Sequence, residues 1–269
     1  KEQGLIDVAV SGMTITKEGS DLLDKLKDIM SDIMGLSKLQ DRVREKLGIK
    51  RVILVPGSCD ENGSLLKDVT RYGCEYFLGI LKDGDIVSIT GGSTMLEFSN
   101  VIKTDKRYPN STIVPARGSM GTDVEMQSNN IVASISKKLH SNCKLLHIPD
   151  ELDESAMKTL SQVPEIKTTL EYIKRTDILV FSIGRADVMA KRRKLPEDKV
   201  DEILSKNAVG EAFGYYFNKD GEIVYKLNTV GIDLETVKQV KETIAIFAGT
   251  EKVEALLAIS NMHKNMVLV

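Results

Sequence analysis

The stretch Asp85-Ile-Val-Ser-Ile-Thr-Gly-Gly-Ser-Thr-Met-Leu-Glu97 decides how the rest of the chain is read. Its apolar half reads as a short strand that runs straight into a glycine pair. A helix is expected from about Ser93. Gly91 and Gly92 carry no Cβ, so the backbone can turn tightly there and come close to a ligand. The free N–H groups at a helix start, at the positive end of its dipole, suit an anion. Ser93 and Thr94 add two hydroxyls at the same point. A phosphate fits this description. So does an ordinary capped strand-to-helix turn, and one Gly-Gly-Ser-Thr does not separate the two.

Outward from that turn an α/β rhythm continues. Near-continuous apolar runs predict buried parallel strands at 52–55, 86–90, 112–115, 144–148, 177–183, 243–247 and 266–269. Helices are expected over about 62–81, 93–102 and 123–139, then two short ones, the second with Pro164 near its first turn. Ser37-Lys-Leu-Gln40 reads as a capping box opening a helix that runs to Leu47, with Gly48 as its C-terminal cap. β-Formers at 212–217 and 223–226 flank Asn218-Lys-Asp-Gly221 and predict a β-hairpin insertion. Asp233 is expected to cap a short helix. The alternation implies a single three-layer α/β domain with a Rossmann-like parallel sheet over residues 36–269.

The N-terminal part reads differently. Residues 5–19 predict a tight β-hairpin, which cannot stand alone in water. It looks like the wing of a winged helix-turn-helix, and no helices precede it here. An ordinary hairpin packed on the main domain is the alternative. Residues 20–35 are expected to hold a linker helix. Its Leu22, Leu26, Ile29 and Ile33 form a coiled-coil-like stripe that more often marks a core face.

Composition narrows the class. Hydrophobic residues make up 42% and charged ones 28%, as in an ordinary globular protein. No apolar run is long enough to cross a membrane. Cys59, Cys74 and Cys143 are scattered and form no CxxC pair, which fits a reducing cytoplasm and argues against a zinc site. No cofactor is called for. The net charge of −2 gives little drive for nucleic-acid binding, so this chain alone should hold DNA weakly or not at all.

In an open parallel sheet, ligands bind beyond the C-terminal strand ends. Those ends carry Gly91-Gly-Ser-Thr94, Ala116-Arg-Gly118, Gly184-Arg185 and Ala248-Gly-Thr-Glu-Lys252. Each has a Gly, and three have a nearby cation. Arg can grip a phosphate in bidentate fashion, and Lys acts as a point charge. In the run Lys191-Arg-Arg-Lys194, by default a solvated face, one Arg can point inward. Tyr215 and Tyr216 can wall a sugar, although hairpin aromatics more often pack.

These residues resemble the effector-binding domain of the SorC/DeoR-type sugar-responsive transcriptional regulators. The resemblance rests on Thr90-Gly-Gly-Ser-Thr94, Val114-Pro-Ala-Arg-Gly118, Met189-Ala-Lys-Arg-Arg193, Glu211-Ala-Phe-Gly-Tyr-Tyr-Phe217 and Ala248-Gly-Thr-Glu-Lys-Val-Glu-Ala255. It covers nearly everything from Gly35 onward. It implies a sheet like those of ribose-5-phosphate isomerase and glucosamine-6-phosphate deaminase, and a domain that binds sugar phosphates without turning them over. It further implies a homodimer or homotetramer, and operator binding through an upstream winged domain.

Position by position, Ser93 and Thr94 match a phosphate-binding Thr-Thr pair beside Gly91 and Gly92. Arg117, next to Gly118, and Arg192 match phosphate-binding arginines. Gln127 matches a polar ligand contact, Glu211 an acid that accepts from sugar hydroxyls, and Lys252 the lysine of the last loop. The implied effector is fructose-1,6-bisphosphate. Arg185 stands where an acid is expected and Met120 where Leu is expected, so the effector's identity rests partly on what Arg185 does. A sugar-phosphate isomerase or deaminase is the competing reading. For that chemistry the loops offer Glu211, Asp123 and Glu251 and no His, which is thin for proton transfer between carbons.

Overall fold

Alternation along each central strand sends successive side chains to two different cores, and this sets the layers. The computed structural model describes residues 3–9, 12–19, 21–22, 26, 35–57, 65–120 and 123–269. After a hairpin, β1 (Ile6–Ala9) and β2 (Gly12–Ile15), the chain lays down β3 (Arg51–Val52), β4 (Ile86–Ile89), β5 (Thr112–Pro115), β6 (Asn142–Cys143) and β7 (Ile178–Ser182). Then come β8 (Gly184–Arg185), β9 (Ala208–Ala212), β10 (Tyr215–Asn218) and β11 (Ile223–Lys226), and finally β12 (Glu242–Ile246) and β13 (Met266–Leu268). The main sheet is parallel throughout, in the order β3-β13-β12-β7-β4-β5-β6.

The helices are α1 (Leu36–Leu47), α2 (Leu65–Ile80), α3 (Ser93–Val101), α4 (Ser128–Leu139), α5 (Glu154–Leu160), α6 (Pro164–Lys174), α7 (Ala186–Arg192), α8 (Glu197–Ser205), α9 (Leu234–Gln239) and α10 (Val253–Ser260). Val87, Ile89, Ile113, Val180 and Ile244 pack with Phe77, Phe98 and Ile131 from α2, α3 and α4. Ile86, Val114, Leu179, Phe181 and Ala245 pack with Leu47, Ile173, Val237 and Ile259 from α1, α6, α9 and α10. Each of the larger of these side chains, the Val, Leu, Ile and Phe, contributes about 1.5–3 kcal/mol when fully buried. The chain steps outward from β4 through β5 to β6, and in the other direction from β7 through β12 to β13. The switch between β4 and β7 opens a crevice at their C-terminal ends, where open α/β sheets bind ligands.

Several expected elements come out differently. The 52–55 strand is only Arg51–Val52, because the Leu54 N–H turns away to the Gln40 side-chain oxygen at 2.8 Å. The expected capping box therefore does not open α1. Gly35, left-handed at φ 68°, is its N-cap and makes no side-chain cap bond. The 144–148 strand ends at Cys143, because the Asn129 carboxamide takes both the N–H and the C=O of Leu146 and stands in for a neighbouring strand. The helix expected over 123–139 begins at Ser128.

The run 212–217 is not one strand. It folds back at Phe213 (φ 55°) and Gly214 (φ 84°), so that Ala212 pairs with Tyr215 across a two-residue turn. The insertion is accordingly a four-stranded sheet, β11-β10-β9-β8.

The N-terminal hairpin pairs as expected, in a sheet of its own, with every residue of both strands exposed. Of the expected linker, residues 20–35, only 21, 22, 26 and 35 are described, and Ile29 and Ile33 lie outside the described residues, as does Cys59. Among the described residues, no helix is long and apolar enough to cross a membrane.

Candidate ligand-binding site

The turn after β4 is shaped by its two glycines. A Cβ on Gly91 would stand 2.7 Å from the Met126 carbonyl oxygen, so only glycine lets that loop approach. Gly92 sits at φ 109° as the N-cap of α3, and its N–H donates to the Met126 carbonyl at 2.9 Å. No side chain caps α3. The start of this helix is thus left to whatever occupies the crevice.

That crevice is a cavity of about 550 Å³. All ten residues expected from the sequence line it: Gly91, Gly92, Ser93, Thr94, Arg117, Gly118, Gln127, Arg192, Glu211 and Lys252. They come from six separate segments, brought together at the switch point. Tyr215 and Tyr216 do not line it. Tyr216 is buried in a small core with Ala186, Ala190, Ile203 and Leu227, and Phe213 reaches the cavity instead.

The floor is a closed group of four charges. Arg117 donates from Nε and Nη2 to the two oxygens of Asp150, at 2.8 and 2.7 Å. Arg193 donates from Nη1 to Asp150 Oδ2 at 2.6 Å and from Nη2 to Glu211 Oε1 at 2.9 Å. Glu211 Oε1 also accepts from the Gly214 N–H at 2.6 Å. All four side chains are less than a tenth exposed. Burial opposes the charge on Arg193, but Glu211 and Asp150 outweigh it and raise its pKa. Burial, then Glu211, pushes the Tyr216 phenol up, so it stays protonated. Three groups keep bonding capacity, the first being the buried Arg193 Nε, which has no partner among the described residues. Arg117 Nη1 has only a 3.4 Å contact with Glu211, and Glu211 Oε2 takes no donor from the described residues.

The rim is built otherwise. Arg192 is exposed, with Nη2 3.0 Å from the Met126 sulfur. Gln127 clasps its own loop, accepting from the Met120 N–H at 2.9 Å and donating to the Met120 carbonyl at 2.6 Å. Arg185 forks onto Asp187 from Nε and Nη2, at 3.1 and 2.7 Å. That bond holds the Asp187 carboxyl below its ordinary range. The extra cation at 185 is therefore matched locally.

The family model "Putative sugar-binding domain" matches residues 31–269. The chain belongs to the SorC/DeoR-type sugar-binding transcriptional regulators. It is 37% identical over 269 residues to the central glycolytic genes regulator of Bacillus subtilis (strain 168), across all of this chain and 79% of that protein. Among solved structures it resembles "the putative SorC family transcriptional regulator from Enterococcus faecalis", with TM-score 0.79 and 32% identity over 86% of this chain and 95% of that one. The full-length sorbitol operon regulator SorC from Klebsiella pneumoniae shares the fold, with TM-score 0.77 and 17% identity over 99% of this chain and 82% of that one. As a SorC/DeoR-type regulator the chain is not an enzyme, and the isomerase or deaminase reading is set aside.

In this SorC/DeoR-type cavity the sequence reading missed Asp150, Arg193 and Lys194. Asp150 lies seven residues beyond the end of β6, and its pairing with Arg117 and Arg193 is made across the fold, so no local pattern marks it. Arg193 was passed over for its neighbour because α7 is too short to show which face of it is buried.

Proposed function

We propose that this regulator senses a phosphorylated sugar, fructose-1,6-bisphosphate, and that binding modulates the affinity of the whole protein for operator DNA. The observation that carries the reading is the convergence of six chain segments, bearing three glycines and several cations, on one cavity at the switch point of the sheet. Similarity to a regulator of glycolytic genes supports the choice of effector.

One phosphate sits at the Gly91–Thr94 turn, on the start of α3, with Lys252 supplying charge. The second lies between Arg192 and Arg117, whose Nη1 has only a 3.4 Å contact with Glu211. Glu211 Oε2 accepts from a sugar hydroxyl, and Gln127 exchanges its clasp on Met120 for the ligand. Residues 1–19 are the wing of a winged-helix domain and 20–35 the linker to it, in a cytoplasmic homodimer or homotetramer. The effector acts by favouring one assembly over another, since equal affinity for both would shift nothing.

A thermal-shift screen of hexoses and their phosphates tests this. A ligand at a hundredfold excess over its dissociation constant stabilises by about 2.7 kcal/mol. Fructose-1,6-bisphosphate should raise the melting temperature, glucose should not, and NMR should find the ligand unchanged. No shift with any phosphorylated sugar would overturn the reading.

A further inference from the structure

Arg192, Arg193 and Lys194 are consecutive, and all three line the same cavity. On a continuing α-helix, neighbouring side chains point about 100° apart, so three in a row would fan around the axis. The helix does not continue. α7 ends at Arg192, and Lys194 takes a left-handed conformation with φ 54°. The Lys194 N–H donates to the Lys191 carbonyl at 2.9 Å, and the Leu195 N–H to the Ala190 carbonyl at 3.3 Å. These are the paired bonds of a Schellman turn, whose left-handed position favours glycine. Asn207, which follows α8, has the same kind of φ with a residue type that tolerates it. A lysine does not share that tolerance.

The cavity's other cations help to explain the choice. Arg193 and Arg117 spend their charge on Asp150 and Glu211, and Arg185 spends its charge on Asp187. Among the described residues the Lys194 ammonium makes no ion pair or hydrogen bond. A long cation, held at a glycine position and lining this cavity without a carboxylate partner among the described residues, is placed for a ligand.

We propose that Lys194 is a further anion-binding residue of this site, set by the Schellman turn to meet the same phosphate as Arg192. The proposal rests on the sugar-phosphate reading of the cavity and adds a residue to it.

Lys194→Gly separates the two demands on this position. Relief of the left-handed strain should raise the melting temperature of the unliganded protein by about 2–4 °C. Calorimetric titration at low salt should show fructose-1,6-bisphosphate bound about tenfold more weakly than by the wild type, as for loss of one charge-assisted contact. The gap should narrow at high salt, where an exposed charge is screened. Fructose 6-phosphate, held at the Gly91–Thr94 end, should lose less, and Lys194→Arg should keep bisphosphate affinity. If Lys194→Gly binds the bisphosphate as the wild type does, Lys194 is not a ligand contact and this inference falls alone. If the wild type binds no phosphorylated sugar, the inference falls together with the functional reading.

Discussion

On the floor of the cavity, Arg117, Arg193, Asp150 and Glu211 are buried and spend their charges on one another. At the rim, Arg192 and Lys194 are exposed, Lys252 is half-buried, and none of the three has a carboxylate partner among the described residues. Two arginines and two carboxylates sum to zero, so the floor cannot by itself draw in a dianion. What it can do is hold β5, β9 and the turn after α7 in one arrangement and present Glu211 Oε2 and Arg117 Nη1 at fixed positions. Attraction must come from the rim and from the start of α3. The same residue types therefore serve shape in one region and charge in the other.

The largest expected effect breaks the floor. Arg193→Ala would leave Asp150 and Glu211 short of a buried partner, and loss of one member of such a pair costs about 3–5 kcal/mol. Urea unfolding followed by circular dichroism should show a midpoint far below that of the wild type. A loss under about 1 kcal/mol, the range of surface pairs, would mean that the four charges are not a locked unit.

Next comes Arg117→Ala, which sits on the boundary between the two regions. It removes a floor partner and one donor for the second phosphate, worth roughly 1.5–3 kcal/mol of binding. Titration of the folded variant should show a much larger loss for fructose-1,6-bisphosphate than for fructose 6-phosphate. Equal losses would show that the two ends of the ligand are not held separately.

The smallest effect belongs to neither region and sets the pH background. Burial lowers the pKa of His263 from its ordinary value of 6.5, while a bond to the Val240 carbonyl pulls the other way. A base depressed in the folded state takes up more protons when unfolded. Its contribution to stability is thus intact above pH 6.5 and is lost as the pH falls below that value. The melting temperature should decline on acidification from about neutral pH, and His263→Gln should flatten part of that decline. An unchanged slope would place the acid sensitivity elsewhere.

Much of this was legible in the sequence for a physical reason. Strands buried on both faces must be largely apolar, so β4, β5, β7, β12 and β13 appeared as near-continuous runs close to their true limits. The loops at Gly91–Thr94, Arg117–Gly118 and Lys252 stood out because strand-end loops are where such a sheet can place a ligand, whereas Gln127, Arg192 and Glu211 came from the family resemblance. The errors fall where side chains compete with backbone pairing. Gln40 and Asn129 capture strand amides through contacts across the fold, at Leu54 and Leu146, and no local pattern announces that. The turn at Phe213–Gly214 was hidden among β-formers, although a glycine inside such a run is itself a signal. The pairing of Arg193 with Asp150 and Glu211 joins three distant segments and could be seen only in the fold.

The central claim is that a sugar phosphate is held at the rim, beginning at the start of α3. Isothermal titration of fructose-1,6-bisphosphate and of fructose 6-phosphate into wild type and Thr94→Val tests it most directly. Thr94 is nearly buried and carries a hydroxyl at that helix start, and valine keeps its shape while removing the donor. The account predicts saturable binding of both ligands to the wild type, and weaker binding of both to the variant, by about the 0.5–1.5 kcal/mol of one hydrogen bond or more where the acceptor is charged. Binding of both sugars to Thr94→Val with wild-type affinity would contradict it.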